Sequence, residues 1–183
     1  MTQERKALKD KKVAIMATNG FEEIELTAPK EELEGYGAIV EILSTEHKIK
    51  SWDKTNWGKD FQADKLIKNA NVDDYDALIL PGGVINGDKL RRDENAIQMI
   101  KTFSMKNKLI AAICHGPQLL IEADLVNGRS VTSHTAIKTD MKNSGSDYRE
   151  SGVAEDENLI TAQGPDDIPG FMKKIYEHLK PEV

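Results

Sequence analysis

Short apolar runs alternate with longer stretches of mixed polarity along this chain. Four runs, at residues 13–17, 39–43, 77–80 and 109–113, are almost wholly apolar. A strand with one exposed face alternates polar and apolar side chains, whereas these runs indicate strands that are covered on both faces. The pattern therefore predicts a mainly parallel sheet buried inside the protein.

Stretches of helical character separate these runs. Residues 22–36, 93–106 and 167–179 are predicted to be helices, from helical spacing of apolar side chains or from residues typical of helix ends. Strands that alternate with helices pair in parallel through right-handed crossovers, so we expect an α/β sandwich with helices on both faces of the sheet. Residues 46–61 have no clean period, and we expect a loop or a small β-hairpin there.

Length and composition favour one domain. With 183 residues, of which 39% are hydrophobic, the chain can bury one good core but is short for two domains. We expect residues 1–11, which are polar and charged, to form a flexible N-terminal segment, and residues 12–183 to form a single α/β domain.

Charge and cysteine content narrow the function. The formal net charge is −6 and no basic tract is present, which makes nucleic acid an unfavourable partner. No window approaches the roughly 18 apolar residues of a membrane span, so we expect a cytoplasmic protein that does not bind membranes. The single cysteine excludes an internal disulfide and a thiolate-rich metal site. That thiol is either buried filler or reactive.

Residues with chemical potential follow three of the predicted strands. In open parallel sheets, ligands bind in the crevice outside the carboxyl ends of the strands. The residues that fall at that edge are Glu22 and Glu25 after the first strand, Gly82 and Gly83 after the third, and Cys114 and His115 after the fourth. Carboxylates, a glycine pair and a thiol should therefore meet in one crevice.

Cys114 lies in a pattern typical of a nucleophile elbow. Ala112 and Gly116 are the small residues two positions before and after it, as a strained strand-to-helix turn requires. A thiol at that turn faces a helix N-terminus, which favours the thiolate. The alternative is a cysteine that merely fills the core.

The histidines and acids near this cysteine leave several assignments open. His115 could form a Cys–His pair, but neighbouring side chains point to opposite faces unless the turn brings them together. His134 follows another short run and could line the pocket. Glu25 is favoured over Glu22 for chemistry, because Asn19 and Glu22 fit a capping box that would occupy Glu22 at the helix start.

Two further features of the sequence bear on the site: a glycine pair, and the absence of metal-binding and nucleotide-binding motifs. Gly82 and Gly83 permit a turn whose N–H groups stabilise an oxyanion. The chain contains no metal-binding or nucleotide-binding motif, so we expect neither a metal nor a cofactor.

Four motifs together resemble the PfpI-like intracellular cysteine peptidase family. This family belongs to the superfamily of the Parkinsonism-associated deglycase, with a class I glutamine amidotransferase-like fold. The motifs are Gly20-Phe21-Glu22-Glu23-Ile24-Glu25-Leu26 followed by Pro29, Asp74-Tyr75-Asp76-Ala77-Leu78-Ile79-Leu80-Pro81-Gly82-Gly83, Ala111-Ala112-Ile113-Cys114-His115-Gly116-Pro117, and Pro165-Asp166-Asp167-Ile168-Pro169.

The resemblance implies a role for each residue of the site. Cys114 is then the nucleophile, His115 its partner, and Glu25 a neighbour of the sulfur, with the N–H groups of Gly83 and His115 as oxyanion donors. It also implies that Asp88 of a neighbouring subunit orients the histidine, which would place the site at a homodimer interface. A higher homo-oligomer would serve equally well.

The chain departs from the family pattern at two positions. Relatives usually have Pro where this chain has Gly87, and commonly Arg where it has Gln163. The first change loosens the segment that presents Asp88, and the second removes a cation from the rim of the pocket.

We therefore expect a flavodoxin-like three-layer sandwich that acts as a cysteine hydrolase or lyase on electrophilic carbonyls. The substrate class implied by the resemblance is either small glyoxal-type aldehydes and glycated adducts or peptides. The alternative is a redox-sensing or chaperone-like stress protein in which Cys114 is oxidised without turnover.

Overall fold

The computed structural model describes residues 7–181, and the elements below all lie within that range. The strands are β1 (Lys12–Met16), β2 (Ile39–Ser44), β3 (Lys48–Asp53), β4 (Asn56–Gln62), β5 (Lys65–Leu66), β6 (Ala77–Leu80), β7 (Leu109–Ile113), β8 (Ser130–Val131), β9 (Asp147–Tyr148), β10 (Val153–Asp156) and β11 (Leu159–Ala162). The helices are α1 (Glu23–Gly35), α2 (Val84–Leu90), α3 (Glu94–Met105), α4 (Pro117–Glu122), α5 (Lys138–Asn143) and α6 (Ile168–Leu179).

Seven strands form one sheet in the order β10-β11-β7-β6-β1-β2-β5. Every neighbouring pair is parallel except β10 with β11, which form an antiparallel hairpin at one edge. The four apolar runs are β2, β1, β6 and β7, four of the five inner strands of this sheet, which confirms the predicted parallel sheet. The strand order reverses direction between β1 and β6, so the loops after these strands diverge and leave a crevice.

Strands β6 and β7, and β1 after its first residue, are buried on both faces, whereas Ile39 at the start of β2 is exposed. Val13 and Ile15 pack in a core cluster that includes side chains of α1 and α6. Ala14 and Met16 point the other way, into a second cluster that includes side chains of α3, α4 and α5. Period-two alternation thus carries apolar side chains into both layers, and the predicted three-layer α/β sandwich is confirmed.

Residues 46–61 correspond to an antiparallel hairpin of β3 and β4, within the expectation of a loop or small hairpin. The hairpin is anchored to the segment after β1. The Gly20 N–H donates to the Lys50 carbonyl oxygen over 2.8 Å, and the Trp52 N–H donates to the Phe21 carbonyl oxygen over 2.7 Å. This places the hairpin over the carboxyl edge of the sheet.

One leucine ties the start of the described chain to the core. Leu8 is fully buried, and its N–H donates to the Tyr36 carbonyl oxygen over 3.0 Å. Lys9 and Asp10, which follow it, are exposed. The remainder of the expected flexible segment, residues 1–6, lies outside the described residues. Of the helices described, none combines the length and apolar character needed to cross a membrane.

Candidate active site

Cys114 sits on a sharp turn between β7 and α4. Its φ is +61°, a conformation that costs a residue with a side chain about 1–3 kcal/mol and persists where the surroundings fix it. Two backbone hydrogen bonds do so: the Cys114 N–H donates to Ala162 over 2.9 Å, and the Cys114 carbonyl oxygen accepts from the His134 N–H over 2.8 Å. A Cβ at Gly116 would lie 2.3 Å from the Leu80 oxygen. The turn therefore leaves no room for a side chain at position 116, as the nucleophile-elbow pattern in the sequence predicted.

The Cys114 sulfur faces a cavity rather than a closed core. The residue is 8% exposed and its thiol is free. The cavity has a volume of about 520 Å³, and Glu25, His115 and His134 line it together with Cys114. The His115 Nδ1 lies 3.3 Å from the sulfur. The turn has therefore brought the two neighbouring side chains together, and Cys114 both packs against the core and lines the cavity.

Glu25 is a buried acid beside this sulfur. It lies in the first turn of α1 and is fully buried. Its Oε2 accepts a hydrogen bond from the Gly82 N–H over 2.6 Å, whereas Oε1 has no hydrogen-bond partner among residues 7–181. Burial raises the pKa of Glu25 to about 8. At neutral pH the carboxyl group is therefore mostly protonated, and it can donate a proton inside the cavity.

Burial, a neighbouring charge and hydrogen bonds shift the pKa of the Cys114 thiol in opposite directions. Burial raises the pKa of Cys114 above its ordinary value, and a negative charge on Glu25 raises it further. The backbone N–H groups of His115 and Gly83 act in the opposite direction, because they donate to the sulfur. Burial therefore opposes the thiolate that we expected from the helix N-terminus, and α4 is only six residues long. Protonation of Glu25 removes one of the two unfavourable contributions.

The two histidines of the site stack on each other. Their ring centroids are 4.5 Å apart at an interplanar angle of 24°. Burial, with the charge of His134, lowers the pKa of His115, so that its ring is neutral at pH 7 and can accept a proton. The His134 Nδ1 accepts a hydrogen bond from the Ala136 N–H over 3.1 Å, which fixes its ring at the cavity wall.

The glycine pair allows the backbone to approach the sulfur closely. Gly83 has a φ of +91°, and a Cβ there would lie 2.2 Å from the Gly20 oxygen. A Cβ at Gly82 would lie 2.5 Å from the Glu25 Oε2 and 2.7 Å from the Cys114 Cβ. Side chains are excluded at both positions, and the Gly83 N–H is left facing the reactive atom. This is the arrangement that stabilises an oxyanion.

The predicted capping box at the start of α1 is wrong. Glu22 is the N-cap residue and makes no side-chain capping bond. Its Oε1 accepts from the Lys54 N–H over 3.1 Å, and the Asn19 Oδ1 accepts from the Lys50 N–H over 2.8 Å. Both side chains therefore hold the β3–β4 hairpin rather than the start of the helix. Glu22 also lines the cavity, as predicted.

Asp88 is not brought into the site of its own chain. It lies on α2, is exposed, and is not among the residues that line the cavity. A Cβ at the neighbouring Gly87 would lie 3.0 Å from the Gln118 Oε1, so the helix packs closely there. Gln163 lies in a smaller adjoining cleft beside His134. The role of Asp88 as a residue from a second subunit stays a prediction.

Several cavity residues were not found from the sequence. They are Gly20, Trp52, Lys54, Val84, Ile85 and Pro165. Trp52 and Lys54 belong to the hairpin region that has no clean period, and only its docking against the first loop brings them to the cavity. The feature of the sequence that could have drawn attention to this segment is its pair of tryptophans, Trp52 and Trp57. In the described part of the chain, no group of three or more His, Cys, Asp or Glu side chains is placed to hold a metal ion.

The chain is similar to several known proteins over nearly its whole length. A model described as the DJ-1/PfpI family matches residues 11–178. The putative cysteine protease YraA of Bacillus subtilis is 35% identical over 170 residues, which is 93% of this chain and 99% of that protein. Protein/nucleic acid deglycase 2 of Escherichia coli is 38% identical over 169 residues, covering 90% and 95% respectively. The solved structure of Schizosaccharomyces pombe DJ-1 superposes with a TM-score of 0.82 at 25% identity, over 93% of each chain.

Proposed function

Because this chain belongs to the DJ-1/PfpI family, we propose that it is a cysteine-dependent hydrolase or lyase that attacks electrophilic carbonyl carbons through Cys114. One observation carries the proposal. The sulfur projects into a cavity in which a base, an acid and two N–H donors surround it: the His115 Nδ1, the protonated Glu25 and the N–H groups of His115 and Gly83. These are the components of nucleophilic catalysis at a carbonyl.

The chemistry begins with proton transfer from the thiol. His115 is neutral, and its Nδ1 lies 3.3 Å from the sulfur, so it accepts the proton as the sulfur attacks. A sulfur–carbon bond forms, and the carbonyl π electrons move to oxygen, where the N–H groups of Gly83 and His115 stabilise the charge. Glu25 then protonates that oxygen, and the adduct is a hemithioacetal.

Small aldehydes fit this site better than an extended peptide. With a 2-oxoaldehyde, a base moves the proton from the aldehyde carbon to the neighbouring carbon, and water hydrolyses the resulting thioester to a 2-hydroxy acid and the free thiol. The cavity of about 520 Å³ suits a small molecule or a glycated side chain. Protein/nucleic acid deglycase 2 carries a name that fits such substrates, whereas the name of YraA points to peptides.

We also propose that the working enzyme is a homodimer or larger homo-oligomer. Asp88 is exposed on α2 and makes no ion pair within residues 7–181. Val84 and Ile85, at the start of the same helix, are 61% and 37% exposed at the rim of the cavity. A second subunit that covered these apolar side chains would add its own groups to the site. The thiol chemistry needs a reducing compartment, which agrees with the cytoplasmic location that we expect.

Turnover by the wild-type protein and by Cys114→Ala tests this function. The two proteins are incubated with methylglyoxal and with a fluorogenic peptide, and product is followed by chromatography and fluorescence. We expect the wild type to convert methylglyoxal to lactate, and Cys114→Ala to lose at least about a hundredfold in rate because the nucleophile is gone. Equal rates for both proteins contradict the proposal. Ready oxidation of Cys114 by mild peroxide, without turnover of either substrate, supports the sensor alternative instead.

A further inference from the structure

Several titratable side chains line the cavity, and not all of them are charged at pH 7. Its titratable lining residues are Glu22, Glu25, Lys54, His115 and His134. Burial keeps Glu25 protonated and His115 neutral at pH 7. His134 accepts a hydrogen bond at Nδ1 from the Ala136 N–H. Among the described residues that line the cavity, Lys54 is the one lysine or arginine, and Glu22 is the second carboxylic acid.

The backbone of Lys54 is fixed at the cavity rim. The residue lies in the turn between β3 and β4 with a φ of +57°. Its N–H donates to the Glu22 Oε1 over 3.1 Å, and its carbonyl oxygen accepts from the Trp52 Nε1 over 2.9 Å. The tip of a hairpin is ordinarily mobile, but these bonds hold its Cα beside the first loop. The turn therefore fixes the backbone of Lys54 at the cavity rim.

The ammonium group of Lys54 is left unpaired. Two other lysines of the same hairpin have partners: Lys48 pairs with Asp60 at 2.9 Å and Lys59 with Glu23 at 3.5 Å. Lys50 also forms no ion pair within residues 7–181, but it does not line the cavity. Glu22 contacts Lys54 through the backbone N–H, and within residues 7–181 the Lys54 Nζ forms no ion pair. A cation at the wall of a reactive cavity, without an internal partner, is available for an anionic ligand.

We propose that Lys54 is a specificity residue that selects electrophilic carbonyl substrates carrying a carboxylate. This proposal rests on the proposed function and names the substrate class of the same site. The aldehyde carbon lies at the Cys114 sulfur, with its oxygen at the N–H groups of Gly83 and His115, and the carboxylate pairs with Lys54 at the rim. A 2-oxoaldehyde with a carboxylate at its far end, such as 4,5-dioxopentanoate, combines both features.

Alkylation of the single cysteine tests the charge preference without any turnover. Iodoacetate and iodoacetamide have nearly the same size and differ in charge, and each forms a sulfur–carbon bond with release of iodide. We measure both rates by mass spectrometry in the wild type, Lys54→Met and Lys54→Arg. An exposed ion pair contributes up to about 1 kcal/mol, so the iodoacetate-to-iodoacetamide ratio should fall about three- to fivefold in Lys54→Met. Lys54→Arg should keep the ratio.

Lys50→Met is the matched control for this experiment. Lys50 is an exposed lysine of the same hairpin that does not line the cavity, and its backbone bonds survive the substitution. Its ratio should stay within about twofold of the wild type, since long-range fields at the surface are screened by salt. An unchanged ratio in Lys54→Met overturns the proposal, and so does an equal loss in Lys50→Met.

Substrate kinetics separate this proposal from the proposed function. In Lys54→Met the KM for 4,5-dioxopentanoate should rise about three- to fivefold with kcat unchanged, whereas the KM for its neutral methyl ester should not move. If the wild type turns over neither compound, the proposed activity fails, and the alkylation ratio still decides whether Lys54 selects anions. Equal KM changes for acid and ester overturn the role of Lys54.

Discussion

At the scale of residues, the site depends on one buried proton. Glu25 and Cys114 are adjacent groups that both lose charge on burial, and the Gly82 N–H stabilises only one oxygen of the acid. A single proton on Glu25 lets the sulfur ionise during attack without placing two negative charges side by side. The sequence favours Glu25 over Glu22, but the capping box on which this preference rests does not form.

Glu25→Gln should change how stability depends on pH. The folded-state pKa of Glu25 is about 8, against an ordinary value of 4.5. Between these values the folded protein keeps a proton that the unfolded chain has lost, so the free energy of unfolding falls as pH rises through this window. Glutamine cannot ionise. We expect the wild type to lose on the order of a few kcal/mol more than the variant between pH 5 and pH 9.

Urea unfolding at pH 5 and pH 9 measures this difference. Glu31→Gln is the control, since Glu31 lies exposed on the same helix. Its pH dependence should follow that of the wild type. Parallel curves for the wild type and Glu25→Gln would show that residue 25 is not the acid that titrates.

At the scale of elements, the elbow between β7 and α4 and the β3–β4 hairpin build the two walls of the cavity. The elbow is local: Ala112 and Gly116 flank Cys114 in the chain, so its turn could be predicted from the sequence. The hairpin is not local. Its contacts to Asn19 and Glu22 join residues about thirty positions apart, and no spacing in the sequence reveals them.

Gly116→Ala should destabilise the elbow. The added Cβ would lie 2.3 Å from the Leu80 oxygen and 2.9 Å from the Ile113 oxygen, both of them backbone atoms that cannot rotate away. Overpacking of this kind costs about 1–3 kcal/mol, which urea denaturation detects as a lower midpoint. We also expect slower alkylation of Cys114, because the backbone must shift to relieve the contact.

Gly35→Ala provides the comparison. A Cβ at Gly35 meets nothing within 4 Å, and the residue ends α1. Alanine should therefore leave stability unchanged or raise it by up to about 1 kcal/mol. If both alanine variants unfold at the wild-type midpoint, close packing at the elbow is not what fixes the turn.

At the scale of the whole molecule, the doubly wound sheet brings the ends of β1, β6 and β7 to one edge. Each contributes a different group: the acid follows β1, the glycine pair follows β6 and the thiol follows β7. What one chain does not bring there is Asp88, which lies exposed on α2. The proposed dimer would supply it from a second subunit.

Complementation between two inactive variants tests this arrangement. In a dimer of one Cys114→Ala chain and one Asp88→Asn chain, the intact thiol meets the intact aspartate in one of two sites. Random pairing makes half of the dimers mixed, so co-expression should give about a quarter of the wild-type specific activity. Light scattering measures whether the protein is a dimer. Activity of the mixture no higher than the average of the separate variants contradicts a shared site.

The sequence by itself determined four strands of the seven-stranded sheet, the ranges of α1, α3 and α6 to within a residue at each end, and the elbow at Cys114. These features follow from side chains that are near one another in the chain, where burial pattern and steric limits act locally. Only the tertiary structure decided the protonation of Glu25, the stacking of His115 on His134 and the placement of Lys54 at the rim. These three features depend on which segments, distant in the chain, pack together at the sheet edge, and on how much water that packing excludes.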